Sequence, residues 1–389
     1  MENKERALAH VEKIEWIRPI GGADNIELIG VLGWVCIAKK GEFNVGDMAV
    51  YIEIDSKCPE TDERFAFLAN KKFKVKTMKL GKFKVISQGL ALPLSLFPEL
   101  QDRNIGDDVT EALKITYASE EDAARKTNKV NPNAKYKSMA KRRPKLFANP
   151  IVRRIMRYSI GRKIMFLLFG RKKDNPKKFP DWIVKTDETR IENAPFYLQS
   201  TEKWIKTEKC DGTSCTFAVD RLKKGKNKFD FIVCSRNVRQ ADREQACYHE
   251  SNIYWELADK YDIEKILTQF ATGNNYNRVV LQGEGVGSVQ GNPYKFTENK
   301  LFVFNLIIDG TRLGTIEMAD FCKSHGLTSV PIIDTAYELP KTMEEMKLEA
   351  DGYSELNPKV KREGFVYRDI SGQKSFKNVS REYLLKKGE

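Results

Sequence analysis

The sequence predicts an α+β protein with two β-rich regions joined by a strongly basic segment. Three observations lead to this prediction. Short apolar runs alternate with turn residues before residue 115, the composition becomes basic between residues 125 and 178, and apolar residues alternate around a Lys-Cys-Asp-Gly turn near residue 209. A chain of 389 residues has room for two or three domains with cores of their own. We therefore divide it into 1–115, 116–178 and 179–389.

The N-terminal region, 1–115, is predicted to form a small β-barrel. Several short strands within about a hundred residues are typical of such a barrel, and an OB-like module is the first choice. The expected strands are 26–29, 31–37, 48–54 and 82–86, with turns at 21–25 and 39–47.

Barrels of this kind bind nucleic acid on one face through basic and aromatic side chains. The candidates here are Trp34, Phe73, Lys76, Lys79 and Lys82. Core packing is the favoured role for Trp34 and Phe73, and a solvated surface is the alternative for the lysines. We expect this module to bind nucleic acid.

The segment 116–178 is expected to be a basic linker or insertion. Between residues 125 and 178 it holds 19 Lys and Arg against one acid, Asp174, a net charge of +18 in a chain whose total is +13. Apolar residues at 151–157 recur at helical spacing with arginines between them, which indicates an amphipathic helix. Phosphate-backbone contact is the leading functional interpretation. A helix docked by its apolar side and an anionic membrane surface are the alternatives.

The sequence lacks features of membrane-spanning or secreted proteins. The longest apolar run, 164–169, is much too short to cross a bilayer, and the charged N-terminus has no secretory signal. Seven cysteines without a Cys-x-x-Cys spacing indicate reduced thiols. We therefore expect an intracellular protein, cytoplasmic or nuclear, with no membrane partner.

The stretch 208–214, Glu-Lys-Cys-Asp-Gly-Thr-Ser, places Lys209 two residues before an Asp-Gly pair. Alternating apolar residues on both sides predict a strand, a turn at Asp211 and Gly212, and a second strand. A lysine held partly out of water and near another cation can lose its proton near neutral pH and attack a phosphorus atom. On its own, such a motif would more often be an exposed hairpin turn.

Further stretches follow the Lys209 motif in a consistent order. They are Cys-Ser-Arg-Asn at 234–237, Leu-Gln-Gly-Glu-Gly at 281–285, Leu-Phe-Val-Phe-Asn-Leu at 301–306, Glu-Gly-Phe-Val-Tyr-Arg at 363–368 and Lys-Ser-Phe-Lys at 374–377. With 208–214 this series resembles motifs I, Ia, III, IIIa, IV and V of the covalent nucleotidyltransferases, the superfamily of ATP-dependent DNA and RNA ligases and mRNA capping enzymes. The resemblance covers residues 179–389 and implies an ATP-grasp-like domain of antiparallel sheets with helices.

The resemblance also assigns the central chemistry. Attack on the α-phosphate of ATP builds negative charge on phosphoryl oxygens, so cations and metal ions must be in place beforehand. Lys209 is the implied nucleophile and forms a lysyl-AMP. Asp211, Glu284 and Glu363 are hard oxygen ligands suited to Mg²⁺ or Mn²⁺, directly or through water. Such an ion would lower the pKa of Lys209 by charge repulsion.

Two pairs of residues are further candidates for nucleotide contact. Lys374 and Lys377 are expected to hold the α-phosphate. The family commonly has these lysines two apart, whereas here they are three apart, and Lys377 fits best. Phe302 or Phe304 could stack on adenine. Core packing is the alternative for both phenylalanines.

Three polar residues complete the candidate site. Glu208 is assigned to nucleotide binding beside the nucleophile, and Arg236 could reach the ribose or a phosphate. Arg190 is a possible phosphate ligand, with a surface salt bridge to Asp187 or Glu188 as its alternative. All the expected nucleotide contacts lie after residue 178, so the C-terminal domain is expected to form the adduct without the barrel.

An N-terminal module ahead of the Lys209 domain resembles one group of nick-sealing RNA ligases. The resemblance implies an ATP-dependent RNA ligase, an RNA repair enzyme that joins 3′-hydroxyl and 5′-phosphate ends through lysyl-AMP and adenylylated polynucleotide. The expected partner is RNA, or an RNA-containing duplex with a nick, and the expected state is a monomer. The alternatives are a capping-type guanylyltransferase or DNA ligase, and a non-catalytic nucleic-acid-binding protein of the same fold. Only twelve residues follow Lys377, which leaves no room for the C-terminal OB domain of the DNA ligases and capping enzymes.

Overall fold

The computed structural model describes residues 6–118, 144–169, 177–222, 228–240 and 252–387. The strands, in chain order, are β1 (Ala9–Pro19), β2 (Ile26–Val31), β3 (Trp34–Lys39), β4 (Met48–Ile52), β5 (Ser56–Lys57), β6 (Lys74–Val75), β7 (Met78–Leu80), β8 (Val85–Ser87), β9 (Leu90–Pro93), β10 (Thr116–Tyr117), β11 (Lys177–Lys178), β12 (Trp204–Glu208), β13 (Thr213–Arg221), β14 (Phe229–Cys234), β15 (Val238–Arg239), β16 (Arg278–Val286), β17 (Lys300–Ile308), β18 (Thr311–Arg312), β19 (Thr328–Ser329), β20 (Ile332–Tyr337), β21 (Gly364–Asp369) and β22 (Ser375–Val379). The α-helices are α1 (Pro144–Ala148), α2 (Pro150–Met156), α3 (Ser159–Phe169), α4 (Ile253–Lys260), α5 (Ile263–Gly273), α6 (Thr315–Ser324), α7 (Met343–Ala350) and α8 (Arg381–Lys387).

The N-terminal region forms the predicted OB-like barrel. Its five-stranded antiparallel sheet has the order β3-β2-β1-β4-β9. The first half of β1 pairs with β4, its second half pairs with β2, and the register shifts between Ile14 and Trp16. An irregularity of this kind bends a long strand, so that one strand serves two sides of a small barrel.

The expected continuous strand over 31–37 is wrong, because Leu32 and Gly33 form a tight turn between β2 and β3. Leu32 has a φ of 52°, in the left-handed region. A Cβ on Gly33 would lie 2.7 Å from the Cα of Glu192, so only glycine allows this close approach. The Gly33 amide donates a 2.8 Å hydrogen bond to the Glu192 carbonyl. The turn therefore connects the barrel to the C-terminal domain.

The expected strand over 82–86 is correct only in its second half. Residues 82–84 form the turn of the β7–β8 hairpin, and Lys84 has a φ of 56°. Lys79 and Lys82 are exposed on this hairpin, and Lys76 is partly buried. Trp34 is buried in the barrel core, as favoured from the sequence.

The C-terminal domain is built from two antiparallel sheets. The larger sheet has the order β11-β15-β14-β13-β16-β17-β18, with β19 parallel to β17, and the smaller has the order β20-β12-β21-β22. Helices α4, α5 and α6 cover the larger sheet. Ile253 and Leu257 on α4, and Leu267 and Ala271 on α5, recur at helical spacing and are buried against it.

The barrel and the C-terminal domain share a hydrophobic core. Val379, at the end of β22, and Tyr383 and Leu384 on α8 belong to the same buried cluster as Trp34 of the barrel. Burial of apolar surface on both sides of this boundary stabilises the two domains together.

Helices α1–α3 form the described part of the basic segment. The helix predicted at 151–157 is present as α2, which begins after Asn149, whose side chain accepts a 2.9 Å hydrogen bond from the Ile151 amide. Pro150 at the first helical position adds to this start signal. Residues 119–143 and 170–176 lie outside the described ranges. Ile151 and Ile155 are exposed, whereas Val152 and Met156 are partly buried, so only part of the apolar side of α2 is covered. No helix in the described residues is long and apolar enough to cross a membrane.

The shared core yields a stability prediction. Replacing Leu384, of which only 1% is exposed, by alanine should lower the free energy of unfolding of the full chain by ~2–5 kcal/mol. The control is Leu348→Ala on α7, where the side chain is 60% exposed and the change should stay within ~0.5 kcal/mol. Urea unfolding followed by circular dichroism measures both. Equal unfolding midpoints for the two variants would show that α8 does not pack into the barrel.

Candidate active site

Lys209 lies where the chain crosses from the smaller sheet to the larger one. It directly follows β12, and β13 begins four residues later in the other sheet, so the motif is not a hairpin turn. The Lys209 amide donates a 3.0 Å hydrogen bond to the Gly364 carbonyl. A Cβ on Gly212 would lie 2.4 Å from the Gly285 carbonyl oxygen, so glycine is required for this crossing.

The Lys209 amine lies among carboxylates. Its Nζ is 2.9 Å from Oε1 of Glu363, and 26% of the Lys209 side chain remains exposed. Glu284 lies on β16 opposite Ser214, the second residue of β13, and also attracts the amine. Burial lowers the pKa of Lys209, but Glu363 and Glu284 outweigh it and hold that pKa above its ordinary value. A lowered pKa therefore requires an additional positive charge at the site.

The ionised forms of the Glu284 and Glu363 carboxyl groups are disfavoured in this site. Burial raises the pKa of Glu284 to about 8; Lys209 opposes this change, and Glu363 and Asp211 add to it. Burial also raises the pKa of Glu363, again against the attraction of Lys209. Three carboxylates that repel one another in a partly dry site favour any added cation.

Asp211 makes two contacts that the sequence did not suggest. Its backbone amide donates a 2.7 Å hydrogen bond to the Tyr294 hydroxyl. Its Oδ2 lies 2.9 Å from Nζ of Lys387, a charge pair without hydrogen-bond geometry. Since Lys387 ends α8, the helix that packs into the barrel also reaches the active site.

The structure does not bring Asp211, Glu284 and Glu363 together as one direct metal-ligand set. Throughout the ranges that the structure describes, no group of three His, Cys, Asp or Glu side chains is placed to hold a metal ion. Lysine amines pair with two of the three carboxylates. The donors still fit Mg²⁺ or Mn²⁺ in another form, because these ions are commonly held by one or two carboxylates with phosphate oxygens and waters as the other ligands.

A second group of charges lies beside Lys209. Lys377 on β22 places its Nζ 3.3 Å from Oδ1 of Asp187, and Arg236 pairs with the other oxygen of the same carboxylate. Burial lowers the pKa of Lys377 to about 8, against the attraction of Asp187, and Lys209 and Arg190 lower it further. Burial opposes ionisation of Asp187, but Lys377 and Arg236 hold its pKa well below the usual range.

Lys374 does not belong to this group, contrary to the expectation from the motif. Its Nζ lies 2.8 Å from Oε1 of Glu202, and half of its side chain is exposed. Side chains alternate across a strand, so residues three apart at the β22 hairpin project from opposite faces. The amines of Lys374 and Lys377 therefore pair with different carboxylates, those of Glu202 and Asp187.

Phe302 and Phe304 lie on β17 in one apolar cluster with Cys210, the neighbour of Lys209. Phe302 is 7% exposed and is paired with Glu284 on β16, whereas Phe304 is only partly buried. Both phenylalanines therefore face the region of the nucleophile.

The Glu208 carboxylate is already bound within the protein. It accepts hydrogen bonds from the Ser354 hydroxyl and, at 2.7 Å, from the Glu355 amide. Its side chain is buried, and burial raises its pKa against these bonds. The Glu208 carboxylate thus fixes the loop before β21.

Arg190 has a partner that the sequence did not suggest. Its Nη2 lies 3.0 Å from Oδ2 of Asp55 in the barrel, so the expected salt bridge to Asp187 or Glu188 is wrong. Glu188 instead accepts a 2.9 Å hydrogen bond from Nη2 of Arg368 on β21. These pairs join residues far apart in sequence, which no local pattern predicts.

Comparisons with known proteins agree with this site. A family model for an OB-fold domain matches residues 8–94, and one for RNA ligase matches residues 202–386. The structure of Naegleria gruberi RNA ligase with PPi is 30% identical, with a TM-score of 0.73, and the match covers 98% of this chain and 99% of that one. A variant of that enzyme with ATP and Mn is 31% identical, and a variant with AMP and Mn is 29% identical. Both have a TM-score of 0.74, and each match covers 98% of this chain and 99% of the other.

A comparison with curated proteins finds no match. The similarity to the Naegleria gruberi enzyme spans the barrel as well as the Lys209 domain. It confirms the prediction of an N-terminal OB-fold ahead of a nucleotidyltransferase domain. The chain belongs to the RNA ligase family.

Proposed function

We propose that this ATP-dependent RNA ligase forms a covalent AMP adduct on Lys209 and passes the AMP to a 5′-phosphate before sealing. ATP and a divalent cation are its cofactors, in keeping with the ATP, AMP and Mn present in structures of the Naegleria gruberi enzyme. The observation that carries the proposal is the position of the Lys209 amine between Glu363 and Glu284 and near Lys377.

Lys209 is held as an ammonium ion by its carboxylate neighbours and must lose a proton before it can attack. Glu363, 2.9 Å away, is the nearest group that can accept that proton. A divalent cation bound at Glu284 and Glu363 would supply the positive charge that lowers the pKa of Lys209. The deprotonated amine then attacks the α-phosphorus, a P–N bond forms, and the bond to pyrophosphate breaks.

Lys377 and Arg236 are the proposed phosphate ligands. Both now pair with Asp187, whose side chain is 41% exposed. A triphosphate that carries more negative charge than one carboxylate would compete for the same cations. Phe302 or Phe304 is the proposed support for adenine, since both lie beside Cys210 and Glu284.

The proposed substrate is a nick in a duplex whose 3′-hydroxyl strand is RNA. The resemblance to nick-sealing ligases supports this choice, and the exposed Lys79 and Lys82 on the OB-fold offer phosphate contacts. We further propose that the enzyme acts as a monomer in the cytoplasm or nucleus. The six cysteines in the described residues are free and buried, as expected in a reducing compartment.

Covalent labelling tests the assignment of the nucleophile. With α-labelled ATP and Mg²⁺, Lys209→Ala should give no label that survives denaturation, and Lys377→Ala should label ~10²–10³-fold more slowly. Lys374→Ala is the matched control and should label at the wild-type rate, because that lysine faces away from the site. Labelled Lys209→Ala protein would refute the proposal.

The raised pKa of Glu284 predicts a pH-dependent stability. A group with a raised folded pKa contributes stability that is complete below its unfolded pKa, here 4.5, and is lost as the pH rises through about 8. Without metal or ATP, wild-type protein should therefore lose stability between pH 5 and 8 relative to Glu284→Gln. We expect the Tm difference to grow by ~2–4 °C or more in favour of the glutamine variant, which corresponds to at least ~1 kcal/mol. A constant difference across that range, measured in EDTA by thermal unfolding, would contradict the burial of this carboxylate.

Sealing assays test the proposed substrate. The full chain, with ATP and Mg²⁺, should seal a nicked duplex with an RNA 3′-hydroxyl strand at least ~10-fold faster than the same nick with a DNA 3′ end, because the 2′-hydroxyl distinguishes the two. The same strands without a complementary strand are the control and should be joined more slowly. Equal rates on the RNA and DNA 3′ ends would remove the proposed requirement for ribose, and equal rates without the complementary strand would remove the preference for nicks.

A further inference from the structure

Helices α1–α3 expose an unusual concentration of apolar side chains. Seven of the nineteen exposed large apolar residues in the described ranges lie between residues 151 and 168. Leu167 is 83% exposed, Ile160 is 70% exposed and Ile151 is 69% exposed. Ordinary soluble surfaces carry such residues singly, so a cluster of this size indicates a binding surface.

The exposed residues of α3 form one continuous stripe. Ile160, Ile164, Leu167 and Leu168 follow the spacing of a single helix face. On the same helix Met165 is buried, so α3 has both a covered and an uncovered side. A Cβ on Gly161 would lie 2.1 Å from the Ile155 carbonyl oxygen, which shows how closely the start of α3 approaches the end of α2. The helices thus form a compact unit that leaves the stripe in solvent.

The charges on the same helices have only one sign. Residues 144–169 contain six Lys and Arg and no Asp or Glu. The cations are Lys145, Arg153, Arg154, Arg157, Arg162 and Lys163. The surface therefore combines aliphatic side chains with a dense positive charge.

Three kinds of partner can be compared for a surface that carries both apolar and positively charged side chains: RNA, a second copy of the chain and a lipid bilayer. An RNA backbone would bind the cations, and the exposed Tyr158 can stack on one base, but the other six exposed apolar side chains are aliphatic and offer RNA neither charge nor an aromatic face. A second copy of the chain would bring two surfaces of like charge together. The surface of a bilayer with anionic lipids accepts both features, because apolar side chains enter the acyl boundary while Lys and Arg remain with the headgroups.

We propose that helices α1–α3, residues 144–169, are a peripheral membrane-binding surface that inserts Ile160, Ile164, Leu167 and Leu168 into bilayers containing anionic lipids. From the sequence alone, an anionic membrane surface is only an alternative for this segment, and no membrane partner is expected. A surface of this kind needs no spanning helix. It would place the RNA ligase at a membrane without altering its active site.

Vesicle sedimentation of the full chain tests the proposal. The protein should sediment with phosphatidylcholine vesicles that contain phosphatidylserine, and bind at least ~10-fold less to phosphatidylcholine alone. The triple variant Ile164→Ser, Leu167→Ser, Leu168→Ser should also bind the anionic vesicles at least ~10-fold less. The matched control is Ile105→Ser, Leu348→Ser, Ile370→Ser, which removes three equally exposed aliphatic side chains elsewhere and should bind as wild type.

Measurements of RNA ligation and RNA affinity distinguish membrane binding from misfolding and from RNA binding. Both triple variants should seal RNA at the wild-type rate, which shows that they are folded. No binding to either kind of vesicle would overturn the proposal, and so would full binding by the α3 variant. A loss of affinity for a nicked duplex in the α3 variant, without vesicle binding by the wild type, would assign the surface to RNA instead.

Discussion

The attraction between the Lys209 amine and the carboxylates of Glu363 and Glu284 is the constraint on which the site depends. In the resting enzyme this attraction balances buried charge, yet it also keeps the amine protonated and unreactive. The same carboxylates repel one another and have raised pKa values. A cation in the site therefore stabilises these carboxylates as anions, and a cation other than Lys209 is needed for the lysine to act as a nucleophile.

Charge balance extends from the nucleophile into the barrel. Asp55 of the barrel pairs with Arg190, whose backbone pairs with that of Lys377 on β22, and Glu53 pairs with Arg6. Lys387 at the end of α8 lies against Asp211, while Leu384 of the same helix is buried in the barrel core. The expectation that the C-terminal domain forms the AMP adduct without the barrel depends on the two domains being structurally independent. The shared core and these ion pairs argue that removal of the barrel would expose apolar surface and leave charges near Lys209 unpaired.

Local patterns in the sequence predicted the elements and the order of the motifs, but not the long-range pairs. Alternation placed Lys209 between two strands. The different partners of Lys374 and Lys377, Glu202 and Asp187, are long-range pairs that alternation does not contain. The close approach of Gly33 to Glu192, a residue of another domain, is not contained in the local pattern. The contacts of Asp211 with Lys387 and of Arg190 with Asp55 likewise depend on how the domains meet, which local periodicity does not contain.

Helix α3 is a second case in which the local sequence pattern does not determine the contact that a side chain makes. A helical apolar pattern predicts that one face of the helix is removed from water, but it does not predict which surface covers that face. In the described domains the buried clusters are filled by the sheets, α4–α6 and α8, so their apolar faces are satisfied within the chain. Among the described residues, the face of α3 that carries Ile160 and Leu167 has no such cover. Since the charged residues of α1–α3 are all positive, an anionic interface satisfies both the pattern and the charge, whereas a protein core would satisfy only the first.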